Sequence, residues 1–248
     1  MNADTLLSWL SHAWAELDPH TTPGTYAHTL WALMSLTGGV LFYGRFYMQW
    51  IVSELRRRSV MPTAFWYMSS FGSVALLGYG AHIGSPVGTL SQSINVVIYA
   101  RNLVHIWRNK GKLSPALNIG IHLLVGVIAL TGLGLTAYTW WHEYHLIHAN
   151  KAQSVGRAWF WILLGVAGTA LFACRFILQW LVSEAKGRSV VPVAFWYISI
   201  AAAVMQSSSF FQQLEWVYGI GVASNIPVYL RNVYLIRKGR GVATSTTE

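Results

Sequence analysis

Residues 45–67 and 175–197 are one phrase written twice at a constant offset of 130: RFYMQWIVSELRRRSVMPTAFWY and RFILQWLVSEAKGRSVVPVAFWY, identical at 15 of 23 positions. The offset holds without a gap to Asn95/Asn225, Tyr99/Tyr229, Arg101/Arg231 and Asn102/Asn232. A repeat of this length dictates architecture, because each copy must fold as the same supersecondary unit. Nearly all of it lies in apolar sequence, yet it retains arginine, glutamine and asparagine. Such groups are costly in hydrocarbon, so their pairing points to a polar site built inside a membrane by two copies of one helix bundle.

Composition agrees. The 248 residues are 54% hydrophobic and only 10% charged, with 13 Trp, too little charge to cover the surface of a water-soluble domain. A hydrocarbon core of ~30 Å needs about 20 helical residues. Seven apolar segments of that size are predicted, at 29–52, 63–84, 87–107, 115–141, 158–182, 193–213 and 215–236. The expected fold is an all-α integral membrane protein with seven transmembrane helices in a three-one-three layout. Two parallel three-helix repeats (29–112 and 151–240) flank a linker helix with its outer loop (113–150). An outer N-terminal segment (1–28) and a disordered tail (241–248) complete the chain.

Charge sets the expected orientation. Eleven of the 17 Lys and Arg fall in Arg56–Arg58, the Arg108/Lys110/Lys112 turn, Lys186/Arg188 and the Arg237/Lys238/Arg240 tail. The alternate connections GAHIGSP and QQLE carry no basic residue. The positive-inside rule then places the N-terminus outside and the C-terminus in the cytoplasm. Copies that begin on the same side run parallel, with a pseudo-two-fold axis along the membrane normal. The net charge of +9 is largely topological and juxtamembrane; contact with anionic lipid head groups accounts for the excess, and nucleic-acid binding need not be invoked. Cys174 stands alone, so no intramolecular disulfide forms. The first 25 residues lack the pattern of a signal peptide; Leu6, Leu10, Ala13 and Leu17, with Trp9 and Trp14, predict a short interfacial helix.

Arg45, Gln49 and Ser53 recur at i, i+4, i+8 and share one helix face; Arg175, Gln179 and Ser183 repeat it. Counting back from Glu54 at 1.5 Å per residue puts Arg45 ~13 Å deep, near the midplane. The eight acids sit at termini, loops or helix ends, so no buried carboxylate balances the two arginines. A phosphate or carboxylate head group suits a guanidinium fork. Asn95, Tyr99 and Asn102 form a second face, mirrored by Asn225, Tyr229 and Asn232, with Arg101 and Arg231 ~100° away as secondary cations able to snorkel.

Pro62 and Pro192 open the helices that carry Trp66, Tyr67, Trp196 and Tyr197, which reads as helix-start punctuation, a hinge, or the aromatic lining of a gate. Glu54 and Glu184 lie beside the basic clusters and could form a cytoplasmic latch, though exposed pairs contribute little. His142, His145 and His148 form an HxxHxxH run expected in a solvated outer loop, with no metal site assigned. His122 is expected to be a packing residue with one hydrogen bond.

The phrases RFxxQWxxSE, RSVxPxAFWY and YxRNxxxI resemble the lipid A biosynthesis N-terminal domain family, here duplicated in tandem across about 45–106 and 175–236. The three-one-three layout is also similar to the wider PQ-loop, SWEET and KDEL-receptor group. Thr63 and Val193 stand where a PQ motif would carry Gln, so that motif's gating role is not carried over. The resemblance implies a bacterial inner-membrane protein of lipid A or envelope glycolipid synthesis, with a membrane glycosyltransferase as possible partner.

The leading expectation is a flippase for a lipid-linked sugar or polyprenyl-phosphate-type anionic lipid. Arg45 and Arg175 would hold the phosphate, while Gln49, Gln179, Asn95 and Asn225 would bond the sugar. The alternatives are a SWEET-like facilitator of a small polar solute, or a non-transporting head-group-binding accessory of a glycosyltransferase. No nucleophile–base pair, soluble α/β pattern or Gly-rich turn is legible. The sequence reading is therefore of a protein that is not an enzyme and needs no cofactor, despite the disaccharide synthase that the family's name evokes.

Overall fold

A computed structural model describes residues 8, 11–15, 17–18, 20–55, 62–149, 155–185 and 192–237. Among them the regular structure is helical, with no strand. The first repeat comprises α1 (Tyr26–Leu55), α2 (Thr63–His82) and α3 (Pro86–Asn109). The linker is α4 (Pro115–Ala149); the second repeat comprises α5 (Val155–Ala185), α6 (Val193–Gln212), α7 (Trp216–Ala223) and α8 (Ile226–Arg237). Leu6, Trp9, Leu10, Arg56–Arg58, Lys186, Arg188 and the tail from Lys238 lie outside the described residues.

Local chemistry accounts for the breaks. Pro62 and Pro192 occupy equivalent N-cap positions, with φ −68° and ψ 149° and with φ −69° and ψ 153°. That extended geometry suits a residue that cannot continue a preceding helix. Ser85 caps α3 by accepting from the Gly88 N–H at 2.9 Å, with Pro86 in the first turn. Gly84, at φ +71°, turns the chain between α2 and α3. The same turn in the second repeat is made by Leu214 at φ +60°, a conformation that costs a side-chain-bearing residue of order 1 kcal/mol.

The last expected helix is in fact two. Pro227 has no N–H to donate to the carbonyl of Ala223 and its ring crowds that turn, so α7 ends at Ala223 and α8 begins at Ile226. The carbonyl of Ser224, freed at the break, accepts from the Tyr47 hydroxyl of α1. The equivalent of Pro227 is Val97, and α3 runs on unbroken. A second correction concerns the expected histidine loop: α4 stays helical through Ala149, and His142 stacks near Tyr138 at 6.2 Å. Among the described residues no group of three His, Cys, Asp or Glu could hold a metal. His122 is a third: it is exposed, and its Nδ1 lies 2.7 Å from the Asn118 carbonyl of its own helix.

Packing is reciprocal between repeats. Within each, the second helix packs on the first and the third on the second. Between them, α3 lies against α5 while α1 lies against α7 and α8, so the first helix of each repeat meets the third of the other. Glycine permits two of the close crossings. A Cβ on Gly72 would sit 2.8 Å from the Phe42 backbone nitrogen, and one on Gly168 would sit 3.0 Å from the Ala202 carbonyl. The linker α4 leans on α3 and leaves a broad apolar face uncovered, including Leu123, Leu124, Val127 and Leu130.

The polarity runs inside out. Ser69, Ser73, Thr89, Thr139, Ser199, Gln206 and Ser209 are buried, whereas Leu30, Leu36, Phe160, Leu163 and Leu181 are exposed. The buried hydroxyls are satisfied locally: Ser69 donates to the Phe65 carbonyl and Ser199 to that of Phe195, each at i−4. Exposed apolar area on this scale belongs against lipid. Pro115–His142, Trp159–Gln179 and Val193–Gln212 are long and apolar enough to cross a membrane by length and composition.

The segment before α1 is tied to the end of α2. Asp18 is buried, accepts from the His20 N–H and the Thr21 hydroxyl, and pairs with His82 Nε2 at 3.0 Å. Trp31 stacks on the His82 ring at 4.1 Å between centroids. Burial pushes the Asp18 carboxyl up, but the bonds from Thr21, His20 and His82 outweigh it and hold it below its ordinary 3.8.

Two expectations follow. Leu214 is exposed, so Leu214→Gly relieves the left-handed backbone with little loss of packing and raises the thermal midpoint in detergent. The Asp18 contribution is present above pH 3.8 and lost as pH falls through its lower folded value. Asp18→Asn should therefore be destabilising at neutral pH, and the gap to wild type should close in acid; a gap independent of pH would refute the assignment.

Candidate functional site

Arg45 and Arg175 sit at equivalent places in α1 and α5 and are almost fully buried, at 2% and 4% relative exposure. Each guanidinium is held by aromatic rings. Arg45 lies 3.6 Å from the Phe42 centroid, 5.0 Å from Phe46, 5.4 Å from Phe65 and 4.8 Å from Tyr99. Arg175 lies 4.4 Å from Phe172, 4.8 Å from Phe176, 5.1 Å from Phe195 and 5.9 Å from Tyr229. All four rings correspond at the offset of 130. In each repeat two come from the arginine's own helix, one from the second helix and one from the third. Contacts of this kind offset part of the cost of taking the cation out of water.

The hydrogen bonds are less symmetric. Arg45 Nη2 donates to the Tyr99 hydroxyl at 2.9 Å, whereas Arg175 Nη1 donates to Ser199 Oγ at 2.9 Å. Among the described residues Arg45 Nε and Nη1 and Arg175 Nε are buried with no hydrogen-bond partner, as is Asn225 Oδ1. An unmatched buried polar group costs roughly 1–3 kcal/mol, more when charged. Several of these lie in one place, on residues that line a single cavity.

Both arginines face one cavity between the repeats, about 50 Å³ in volume. Tyr99, Tyr229, Asn95 and Asn225 complete the sequence-derived part of its lining. At roughly 30 Å³ per water it holds very little. Two polar contacts also join the repeats. Ser85 donates to Glu215 Oε2 at 2.6 Å, and these two residues are themselves equivalent, so the pair marks the pseudo-two-fold axis. Glu54 of α1 meets Arg231 of α8 at 3.5 Å.

Other expected site residues lie elsewhere. Gln49, though buried, and Gln179, half-buried, are outside the cavity lining. Asn102 and Asn232 donate to the carbonyls of Ile98 and Val228, one turn back on their own helices, both at 2.8 Å. Trp66 and Trp196 pack behind the lining tyrosines, 6.3 Å from Tyr99 and 6.0 Å from Tyr229. Tyr67 and Tyr197 are on the surface: Tyr67 accepts from Trp107 Nε1 at 2.6 Å, and Arg237 lies 5.6 Å from the Tyr197 ring. Arg101 is exposed and away from the cavity.

Sequence reasoning missed two polar parts of the wall. Gln206 Nε2 donates to Ser91 Oγ at 2.9 Å and to Thr169 Oγ1 at 2.7 Å, closing a buried three-residue cluster. At the equivalent positions stand Leu76, Gly221 and Gly39, so no repeat signal exists to find it. The opposite wall is phenolic. Tyr43 and Tyr218 line it, where the partner copy has Ala173 and Gly88, and the Tyr218 hydroxyl donates to the Leu76 carbonyl.

The chain belongs to the Lipid A Biosynthesis N-terminal domain family, whose pattern matches it twice, at 34–104 and 164–234. It is similar to proteins named lipid-A-disaccharide synthase. The one from Chlamydia trachomatis serovar D is 28% identical over 69% of this chain and 28% of its own length. That from Chlamydia abortus is 30% identical over 78% and 32%, and that from Chlamydia felis 27% identical over 85% and 34%. The chain thus spans about a third of the length of these relatives. No solved structure matches it. The relatives carry an enzyme's name, which overturns the expectation that this chain is not an enzyme.

The balance of costs at Arg45 gives a test. Burying a charge whose donors are incompletely matched is costly, and apolar side chains of similar volume often replace buried ionic groups without loss of stability. Arg45→Met is expected to hold or raise the thermal midpoint in detergent; a fall of many degrees would make the guanidinium a structural brace.

Proposed function

We propose that this chain binds the anionic head group of a lipid-linked sugar or polyprenyl-phosphate-type lipid in lipid A synthesis, and carries it across the inner membrane. In this reading seven spans cross the bilayer as three, one and three, with the N-terminus outside and the C-terminus in the cytoplasm. The observation that carries it is the arginine pair: two buried guanidiniums lining one cavity, with unmatched N–H groups and no carboxylate among the lining residues. Two like charges around one low-dielectric space repel, and a phosphate between them turns that repulsion into attraction while accepting the spare donors. Asn95, Asn225 and the Gln206 cluster offer groups for sugar hydroxyls. The apolar tail stays in the bilayer.

Movement follows from the reciprocal packing. The repeats touch along α3–α5 and α1–α7/α8, with polar contacts at Ser85–Glu215 and Glu54–Arg231. Rocking one bundle against the other would release one contact while keeping the other, which is alternating access around a fixed site.

The relatives' names favour a second reading on the same site: the bundle presents the lipid-linked sugar to disaccharide synthesis without moving it across. Vesicles reconstituted with the full chain and a phosphate-bearing glycolipid separate the two, scored by accessibility of the head group to an impermeant reagent. Transport predicts crossing by wild type and a fall of roughly 100-fold or more in Arg45→Ala/Arg175→Ala, since two charge-assisted hydrogen bonds are worth about 1.5–3 kcal/mol each. Binding without crossing leaves the second reading. Retention of head-group binding by the double variant sinks both.

A further inference from the structure

A second cavity lies away from the central one, in the crevice between α3 and the linker α4. Its volume is about 420 Å³. Val97, Ala100 and Val104 of α3 and Ile121 and Val125 of α4 give it apolar walls. Arg101, Arg108 and His122 are the polar residues in its lining, which holds no acid. Val97, Arg101, Val104 and Arg108 follow one another at i, i+4, i+7, i+11, so a single stripe of α3 carries both kinds of group.

The two kinds are graded along the crevice. Arg108 is in the last turn of α3, beside the short connection that holds Lys110 and Lys112, while Val97 lies 11 residues deeper. That separation is ~16 Å, about half of a ~30 Å hydrocarbon core and therefore the depth of one leaflet. Cations at the membrane edge over an apolar trough one leaflet deep match an anionic head on an acyl chain.

The repeat supplies the control. Arg231, the equivalent of Arg101, is engaged by Glu54 at 3.5 Å. Among the described residues neither Arg101 nor Arg108 has an acidic partner, and no helix equivalent to α4 packs beside α8. Among the described residues only the first repeat combines the trough with cations that have no acidic partner. His122 adds a polar edge to it, with Nδ1 directed to the Asn118 carbonyl at 2.7 Å.

We infer that this crevice is a seat for a two-chain anionic phospholipid of the surrounding bilayer, its phosphate at Arg101 and Arg108 and one acyl chain between α3 and α4. The occupant is distinct from whatever enters the central cavity, so Arg45→Ala/Arg175→Ala should leave it bound.

The test titrates phosphatidylglycerol against phosphatidylcholine into micelles of the purified full chain and counts retained lipid by native mass spectrometry. Wild type should hold phosphatidylglycerol preferentially. A cation near an anionic surface is worth about fivefold, so Arg101→Gln/Arg108→Gln should weaken retention by roughly 25-fold. Val104→Trp fills the trough and should also expel the lipid, although every cation remains. Thermal midpoints in phosphatidylcholine alone identify any variant that fails to fold, and if the arginine variant does, Val104→Trp decides.

Three results would overturn the proposal. Lys110→Gln/Lys112→Gln could weaken retention as much as the arginine variant, which would mean diffuse surface charge. Val104→Trp could retain the lipid fully, which would mean a head-group contact with no chain seat. Inorganic phosphate could compete at equal concentration, which would mean a free-anion site.

Discussion

The centre of this bundle is organised by one difficulty, the removal of two guanidinium groups from water with no carboxylate among the residues that line their cavity. Aromatic faces are what the fold supplies instead. They need partners from three helices at once, so Phe65 and Tyr99 must be brought to Arg45, and Phe195 and Tyr229 to Arg175. The crossing of α1 and α2 that delivers Phe65 is tight enough that Gly72 lies directly against the backbone of Phe42, itself the closest ring to Arg45. Helix spacing, ring placement and charge are thus one arrangement. Aromatic faces lessen the cost of burying charge but leave N–H directions open, and those open directions are what a ligand can use.

The outline of this was legible in the sequence because it was written twice. Arginines, asparagines and tyrosines at the fixed offset identified the face that turns inward. The rings around the arginines were equally available, since Phe42/Phe172, Phe46/Phe176 and Phe65/Phe195 are identical at the same offset. They pass as ordinary core residues unless one asks what must surround a buried cation. Gln49 and Gln179 show the limit of periodicity: sharing a face with the arginines does not put them in a cavity little more than one side chain deep. Hydropathy was blind to the break at Pro227, because Ile226, Pro227 and Val228 are as apolar as any helix. It also stopped α4 short, since the histidines that look like a solvated loop are compatible with a helix emerging from an apolar layer.

What the repeat hid is as informative as what it displayed. The cluster of Ser91, Thr169 and Gln206 and the facing pair of Tyr43 and Tyr218 exist because the two copies differ. One flank of the cavity became a hydrogen-bonding surface and the other a phenolic one. A site with exact two-fold symmetry would accept an asymmetric head group in two orientations with equal ease. Here the arginine cradles remain matched while the walls beside them do not, so a phosphate can be held by the symmetric part and the rest of the molecule oriented by the asymmetric part.

Gly221 gives that divergence a history. Its counterpart is Ser91, and the space that a Cβ would need at 221 is filled by the Tyr43 ring, 2.0 Å away at its nearest atom. Tyr218 likewise stands against Gly88, where a Cβ would lie 2.9 Å from the ring. Each copy has been carved to the other's outline. Two identical first halves, or two identical second halves, would not fit together in the same way. Copying Ser91 into position 221, or Tyr218 into position 88, would meet a ring already in place, so the two copies are no longer interchangeable where they face each other.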